Sequence, residues 1–340
     1  MLPSVFPSSY LSGGKSMTKA ICVHELGGPE VLRLDEITLA PPGEGEVLVR
    51  NRAIGVNFID TYFRSGLYKA PHMPFIPGHE AAGEIAAVGP GVKGWKAGDR
   101  VAYVAPLGGY AEERIVAADR LVSLPKSISY DTAAAMMLKG LTAQYLLRQT
   151  FKVKKGHRLL VHAAAGGVGL ILCQWARSLG AHVIATVGSE AKARLAFKAG
   201  ASDVIHYREE NFAERVYEIT KGKLCDVVYD GVGKATFPAS LDCLKPFGLF
   251  VSFGSASGPI EAFDIGLLAS KGSLFATRPT LNAYTTKPKR YAKMAKELFE
   301  VVEDGSVEIA VNQIAPLADA ANMHKALEAR ETSGATVLVP

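Results

Sequence analysis

The sequence predicts an α/β protein of two domains, one built on a parallel, doubly wound sheet and one mostly antiparallel β. Three observations carry this. The stretch Arg158 to Ser189, RLLVHAAAGGVGLILCQWARSLGAHVIATVGS, reads as strand, glycine turn, helix and strand. Beyond it, strand-like runs keep alternating with helical ones, the pattern of parallel strands joined by right-handed crossovers. Before it, from Thr18 to about Pro125, short strands and turns follow one another without a long helical pattern.

In the first region KAICVHELGG, EVLVRNRAIGV, EAAGEIAAVG and GDRVAYV read as strands, punctuated by PPGEGE, PGH, GPGVKGW and LGG. Ile128 to Arg148 turns helical, with small residues from Ala133 to Met137 for packing, and Val153 to Gly156 loops into the next strand. The second domain is therefore expected over 130–280. Within it LLVHA, HVIATV, DVIHY, DVVYD, GLFVSFG and SLFAT are the strands, with helices such as Ala191 to Ala199 and Phe212 to Thr220 between them. Ligands of such sheets sit at the carboxyl ends of the strands, which nominates the loops after Asp230 and after Phe253, with Gly254 and Ser255. A helix from Tyr291 to Val302, VEIAVNQIAPL, a helix from Ala318 to Arg330 and a final ATVLVP resume β-domain character, so 281–340 is expected to return to the domain of 18–129. Residues 1–17 are rich in Pro, Ser and Gly and lack the basic start or arginines of a targeting peptide; they are expected to be a disordered extension.

The glycines at 166, 167 and 169 bring bare N–H groups and a helix start, read from Leu170 to Leu179, up to a phosphate. Gly188 and Ser189 end the following strand, about 20 residues beyond the turn, where an NAD-binding protein places an acid on the ribose 2′-hydroxyl. No acid ends this strand. Ser189, Lys192 and Tyr207 instead offer hydroxyls and a cation, a set suited to a 2′-phosphate, so NADPH is expected over NADH. The alternative makes Lys192 a solvated helix residue.

At 340 residues the chain can hold two cores. Hydrophobic content of 48%, 34 glycines and 21% charged residues exclude a disordered or fibrous chain. A net charge of +5, spread thinly and without interleaved basic and aromatic clusters, suits small anions and does not call for nucleic acid. Cys22, Cys173, Cys225 and Cys243 lie far apart with no C-x-x-C pair, so neither a disulfide framework nor a metal knuckle is indicated, and a cytoplasmic setting is expected. No stretch approaches the roughly 20 apolar residues of a membrane span.

Several stretches in this order, GVNFIDTYFRSGLY, PGHEAAGEIAAVGPGVKGWKAGDRV, KGLTAQYLLR, HAAAGGVGL, TVGSEAKARLAFKAGASDVIHYREE and YDGVG, resemble the medium-chain dehydrogenase/reductase superfamily. The similarity is greatest to its zinc-independent, zeta-crystallin-like NADPH:quinone oxidoreductases. It covers Thr18 to Pro340 and implies a GroES-like catalytic domain, a Rossmann domain, NADPH, and a homodimer joined edge to edge through the Rossmann sheets. Residue by residue, the resemblance implies Gly167 and Val168 at the pyrophosphate, and Ser189, Lys192, Tyr207 and Arg330 around the 2′-phosphate beside Gly188. It implies Asn57, Phe58, Tyr62, Thr142 and Tyr145 near the nicotinamide half, Phe253, Gly254 and Ser255 closing the pocket, and Tyr68 lining the substrate side. Phe58 and Phe253 as core, and Asn57 as a turn former, are the competing readings.

In zinc-dependent members of the superfamily a G-H-E motif supplies a zinc-binding histidine, and PGHE at 77–80 keeps it as His79. A catalytic zinc takes about three protein ligands. The superfamily's first Cys falls at Asn57, its later one in a stretch, Ala133 to Gly140, that has none, and the four-cysteine lobe is missing between Ala105 and Arg120. No metal is expected, and His79 is expected to be structural, hydrogen-bonded with Glu80. Catalysis then rests on placing the nicotinamide against an electrophile, with Asn57, Tyr62 and Tyr68 as candidate donors and no dedicated general acid. Three functions compete: NADPH-dependent quinone reduction, reduction of enones or alkenals at the double bond, and a structural or RNA-binding nucleotide-binding protein.

Overall fold

A computed structural model describes residues 16–340. The expected extension lies outside the described residues except for Ser16 and Met17, which already pair with Leu39 and Thr38 in a strand. Two compact units form: the segment up to Leu138 with Val311–Pro340, and Lys139–Ala310. These limits differ from the expected 130 and 280. The helix of residues 288–303 belongs to the second unit because its Leu298 packs on Gly140, where a Cβ would come within 2.5 Å of the leucine side chain.

Along the first unit run β1 (Ser16–Val23), β2 (Leu32–Leu39), β3 (Glu46–Val56), α1 (Phe58–Ser65), β4 (Glu80–Val88), β5 (Arg100–Val104), β6 (Glu113–Ala117), β7 (Leu121–Ser123) and the start of α2 (Tyr130–Tyr145). The second unit continues with β8 (Arg158–Val161), α3 (Gly167–Ser178), β9 (His182–Val187), α4 (Glu190–Lys198), β10 (Asp203–His206), α5 (Phe212–Thr220), β11 (Cys225–Asp230), β12 (Leu244–Ser252), α6 (Gly266–Ser270), β13 (Phe275–Thr277), α7 (Leu281–Thr285) and α8 (Pro288–Glu303). The chain then returns to the first unit with β14 (Val311–Pro316), α9 (Ala320–Glu328) and β15 (Ala335–Val339).

The first unit is mostly antiparallel, as its alternating strands predict. Its main sheet runs β14-β15-β3-β4-β5-β7 with β6 on β3, and only β14 and β15 are parallel. The eleven-residue β3 is the spine, pairing with β4, β6 and β15. Val47, Val49, Ile54, Ile85, Val101 and Tyr103 fill its core.

The second unit holds a six-stranded, wholly parallel sheet in the order β10-β9-β8-β11-β12-β13. Leu160, Ile184, Ile205, Val228 and Phe250 come one from each of five strands and share one core. Burying such a side chain contributes about 1.5–3 kcal/mol. Every residue of β11 is buried, as a parallel sheet covered on both faces requires. The chain progresses outward from β8 on one side and from β11 on the other. Their carboxyl ends therefore mark the switch point where a ligand of such a sheet binds.

Candidate active site

The turn after β8 is built for an anion. Ala163, not a glycine, takes the left-handed conformation, with φ of 52°. Gly169 serves a different need: a Cβ there would lie 2.4 Å from the Ala163 carbonyl oxygen, so only glycine lets the helix pack onto the turn. Gly166 caps α3 without any side-chain acceptor, so the first N–H groups of the helix point outward with its positive dipole end. The helix starts at Gly167, three residues before the expected Leu170, because glycines carry no hydrophobic periodicity. A pyrophosphate fits this cradle.

At the end of β9, Gly188, Ser189 and Tyr207 come together. A Cβ on Gly188 would fall 2.7 Å from the Tyr207 hydroxyl and 3.3 Å from Arg208 Nε. Ser189 caps α4, its Oγ accepting the Lys192 N–H at 3.4 Å. Glu190 follows at once but is engaged, 3.3 Å from Arg194 and 3.7 Å from His206. The corner thus combines the Tyr207 hydroxyl and Ser189 with Arg208, which sequence reasoning missed, while Lys192 is tied to it through its backbone N–H. Arg330 lies in the first unit just after α9, with φ of 61°.

The loops after β11 and β12 meet backbone to backbone. The Phe253 N–H donates to the Asp230 carbonyl at 2.8 Å, and a Cβ on Gly254 would come within 2.5 Å of the Gly231 oxygen. Beneath them Asp230, wholly buried, accepts from the N–H groups of Val232 (2.7 Å) and Gly233 (3.0 Å) and the hydroxyls of Thr236 (2.7 Å) and Ser240 (3.1 Å). His162, directly after β8, links Ser240 through Nε2 (3.0 Å) to Thr186 of β9 through Nδ1 (2.9 Å). Burial lowers the His162 pKa despite the pull of Asp230, so the ring is neutral and the chain runs one way: Thr186 hydroxyl to Nδ1, Nε2–H to Ser240, Ser240 to Asp230. Three strand ends are fastened together under the binding loops. Thr142 and Tyr145 are buried on α2, and the Tyr145 ring stacks on Tyr284 at 4.4 Å, so burial pushes its hydroxyl pKa well up.

In the first unit the N-F-I-D sequence opens α1, with Asp60 Oδ2 accepting the Asn57 N–H at 2.9 Å, and Gly66 at φ of 85° closes it. Asn57 is buried, and its Nδ2 donates to Glu80 Oε1 at 2.7 Å. The other Glu80 oxygen accepts the Leu138 N–H of α2. Asn57 thereby anchors a buried carboxylate, which accounts for that amide without a ligand. His79 does not pair with Glu80 as expected. Its Nδ1 reaches Asp60 Oδ1 at 2.8 Å, because α1 turns Asp60 toward the start of β4. Asp60 Oδ2 also accepts the Tyr110 hydroxyl (3.0 Å), which contacts His324 Nε2 (3.0 Å), and His324 Nδ1 meets Arg64 (3.2 Å), itself paired with Glu328 (2.6 Å). Phe58, Tyr62, Tyr68, Phe63 and His79 form a continuous run of ring contacts 5.2–5.8 Å apart. Around His79 the donors are an aspartate already holding three hydrogens and an amide, a poor set for zinc. Among the described residues no three His, Cys, Asp or Glu side chains converge as a metal-holding group.

Comparison with known proteins agrees with this division of labour. Residues 43–126 match the alcohol dehydrogenase GroES-like domain family and 167–300 the zinc-binding dehydrogenase family. The chain is 55% identical over 325 residues to a quinone oxidoreductase of Pseudomonas aeruginosa, covering 95% of this chain and all of that protein. It is 45% identical to a 2-haloacrylate reductase of Burkholderia sp, covering 95% of this chain and 99% of that one. The solved structure of Escherichia coli quinone oxidoreductase complexed with NADPH superposes with a TM-score of 0.93 at 50% identity, over 95% of this chain and 100% of that one.

Proposed function

Since the chain belongs to the quinone oxidoreductases of the medium-chain dehydrogenase/reductase superfamily, we propose that it reduces quinones with NADPH and without a metal. The observation that carries this reading is the corner at Gly188, where the Tyr207 hydroxyl and Arg208 close on the end of β9 and Ser189 caps α4, beside a helix cradle for a pyrophosphate. Bound NADPH supplies a hydride. Gly167 and Val168 hold the pyrophosphate through the α3 N-terminus, and Ser189, Lys192, Tyr207 and Arg330 hold the 2′-phosphate. The buried His162 chain keeps these loops in place, so little ordering remains to be done on binding. Phe58, Tyr62, Thr142 and Tyr145 are assigned to the nicotinamide half and Phe253, Gly254 and Ser255 to the closing loop, while Asn57 fixes Glu80 within the first unit. Tyr68, in edge contact with Tyr62 and Phe63, offers a flat face and a hydroxyl to a planar acceptor.

Reduction of an activated double bond is the second reading, favoured by the 45% identity to a 2-haloacrylate reductase. The kcat/KM values for a naphthoquinone, a simple enone and a primary alcohol with NADP decide between them. The quinone is expected to be fastest; a faster enone would make the protein a double-bond reductase, and comparable alcohol oxidation would overturn both readings. We further propose a homodimer through β13, an edge strand carrying an exposed Phe275, near in sequence to the exposed Phe263 and Ile265. A cytoplasmic location is supported by four buried free thiols, with Cys22 pushed up to about 11 and Cys173 and Cys225 to about 12 by burial. Among the described residues no helix is long and apolar enough to cross a membrane.

A further inference from the structure

The first unit contains a cavity of about 610 Å³ that the proposed reaction does not use. Phe63, Phe75, Ile76 and Leu107 give it apolar walls, and its polar side chains are His79, His72 and Cys22, whose thiol hydrogen is taken by Asp35. Among the described residues no lysine or arginine lines it, so nothing there recommends a phosphate or a carboxylate.

Both histidines have one ring nitrogen committed. His79 Nδ1 is 2.8 Å from Asp60 Oδ1, and Asp60 already accepts from the Tyr110 hydroxyl and the Asn57 N–H, so the hydrogen of this contact sits on the imidazole. His72 Nδ1 is 2.7 Å from the Pro74 carbonyl oxygen, which can only accept. In a neutral imidazole the second nitrogen is then an acceptor. His79 Nε2 has no hydrogen-bond partner among the described residues, and the side chain is 12% exposed on the cavity wall. An apolar chamber whose histidine edges accept and do not donate favours an uncharged ligand that can donate.

We propose that this cavity binds an aromatic ring carrying a hydroxyl group, the hydroxyl donating to His79 Nε2. A quinone has only acceptor oxygens and lacks the matching hydrogen; its hydroquinone has two. Resting on the quinone reductase reading, the natural source of such a ligand is the hydroquinone product, and the cavity distinguishes product from substrate by one hydrogen bond that only the product can donate.

The test is a fluorescence titration without NADPH at about pH 8, above the ordinary imidazole range. It compares 2-naphthol with 2-methoxynaphthalene, which matches it in apolar surface and lacks the donor. One neutral hydrogen bond makes the naphthol bind up to about tenfold more tightly. In His79→Phe the two ligands are expected to bind alike. Leu107→Trp, which narrows the cavity with a larger ring and leaves Asp60 and His79 unsubstituted, is expected to weaken both, and it keeps the test decisive if His79→Phe fails to fold. Equal affinities in the unsubstituted protein, a naphthol preference surviving in folded His79→Phe, or unchanged binding in Leu107→Trp would each overturn the proposal. Under argon, 1,4-naphthohydroquinone is expected to bind more tightly than 1,4-naphthoquinone, and the reverse order would remove the product assignment. Naphthol accepts no hydride, so failure of quinone turnover would leave the naphthol titrations standing and identify the quinone reductase reading as the part at fault.

Discussion

Asp60 in the first unit and Asp230 in the second are both wholly buried carboxylates, and their surroundings differ in kind. Asp230 is closed by its own turn, through the N–H groups of Val232 and Gly233 and the hydroxyls of Thr236 and Ser240. Asp60 is closed by Asn57, His79 and Tyr110, and the chain runs on through His324 and Arg64 to Glu328. A carboxylate satisfied by its own loop fixes a backbone conformation, which is what a dinucleotide site needs. One satisfied by distant side chains ties separate segments together, and it can leave one ring edge to a ligand.

The largest expected effect tests that contrast directly. Asp230→Ala strands two N–H groups and two hydroxyls in a buried site and is expected to cost about 3–5 kcal/mol in urea unfolding. Asp60→Ala should cost less, because Tyr110 can turn to His324 and His79 borders a cavity. An equal or larger loss at Asp60 would break the comparison.

Next in size is a pH effect confined to the Asp60 network. Burial lowers His324 from the ordinary 6.5 to about 4, opposed by Asp60 and Glu328 and reinforced by Arg64. The unfolded chain therefore takes up a proton before the folded one as pH falls. Stability is full above about pH 6.5 and declines from there to about pH 4, by about 3 kcal/mol in all. Unfolding measured at both ends should show this decline, and His324→Gln should remove most of it. A variant with the same decline would assign it to other groups, among which His162 is also lowered by burial.

Lys192→Ala comes third. Loss of a hydrogen bond to a charged group should weaken NADPH by about 1.5–3 kcal/mol and leave NADH nearly unchanged, as read by calorimetry. Equal losses for both cofactors would count against the 2′-phosphate assignment.

Much of the second unit could be read from the chain because its signals are local. The glycine turn, the strand alternation and the Gly188–Ser189 end of β9 each lie within a short window with a repeating or positional pattern. Arg208 was invisible because a charge in a turn reads as solvated. The first unit was legible as strands, yet its chemistry was not: Asp60, Tyr110 and His324 come from three separate regions, and nothing in PGHE distinguishes Asp60 from the adjacent Glu80 as the partner of His79. For Asn57 the competing reading as a turn former had a local basis, since N-F-I-D is a helix-start pattern with an acid three residues after the cap. The domain limit near 310 was hidden because α8 packs on Gly140 through one leucine, a contact without sequence periodicity.

The smallest effect concerns Tyr207, which separates the fastened loops from the corner they present. Tyr207 is 39% exposed and follows β10, outside the His162 chain, so Tyr207→Phe should leave stability within about 0.5 kcal/mol. Its hydroxyl lies 2.7 Å from where a Cβ on Gly188 would be, so the space there is shared between the tyrosine and whatever lies at the end of β9. If that is the 2′-phosphate, removing one neutral donor should weaken NADPH by about 0.5–1.5 kcal/mol, less than Lys192→Ala, with NADH unaffected. Arg208→Ala supplies the ranking: as a cation at the same corner it should cost more than the phenol if it reaches the phosphate. A Tyr207→Phe protein that binds both cofactors as before, while Arg208→Ala loses NADPH selectively, would move the second ligand of the phosphate from the residue the sequence named to the one it hid.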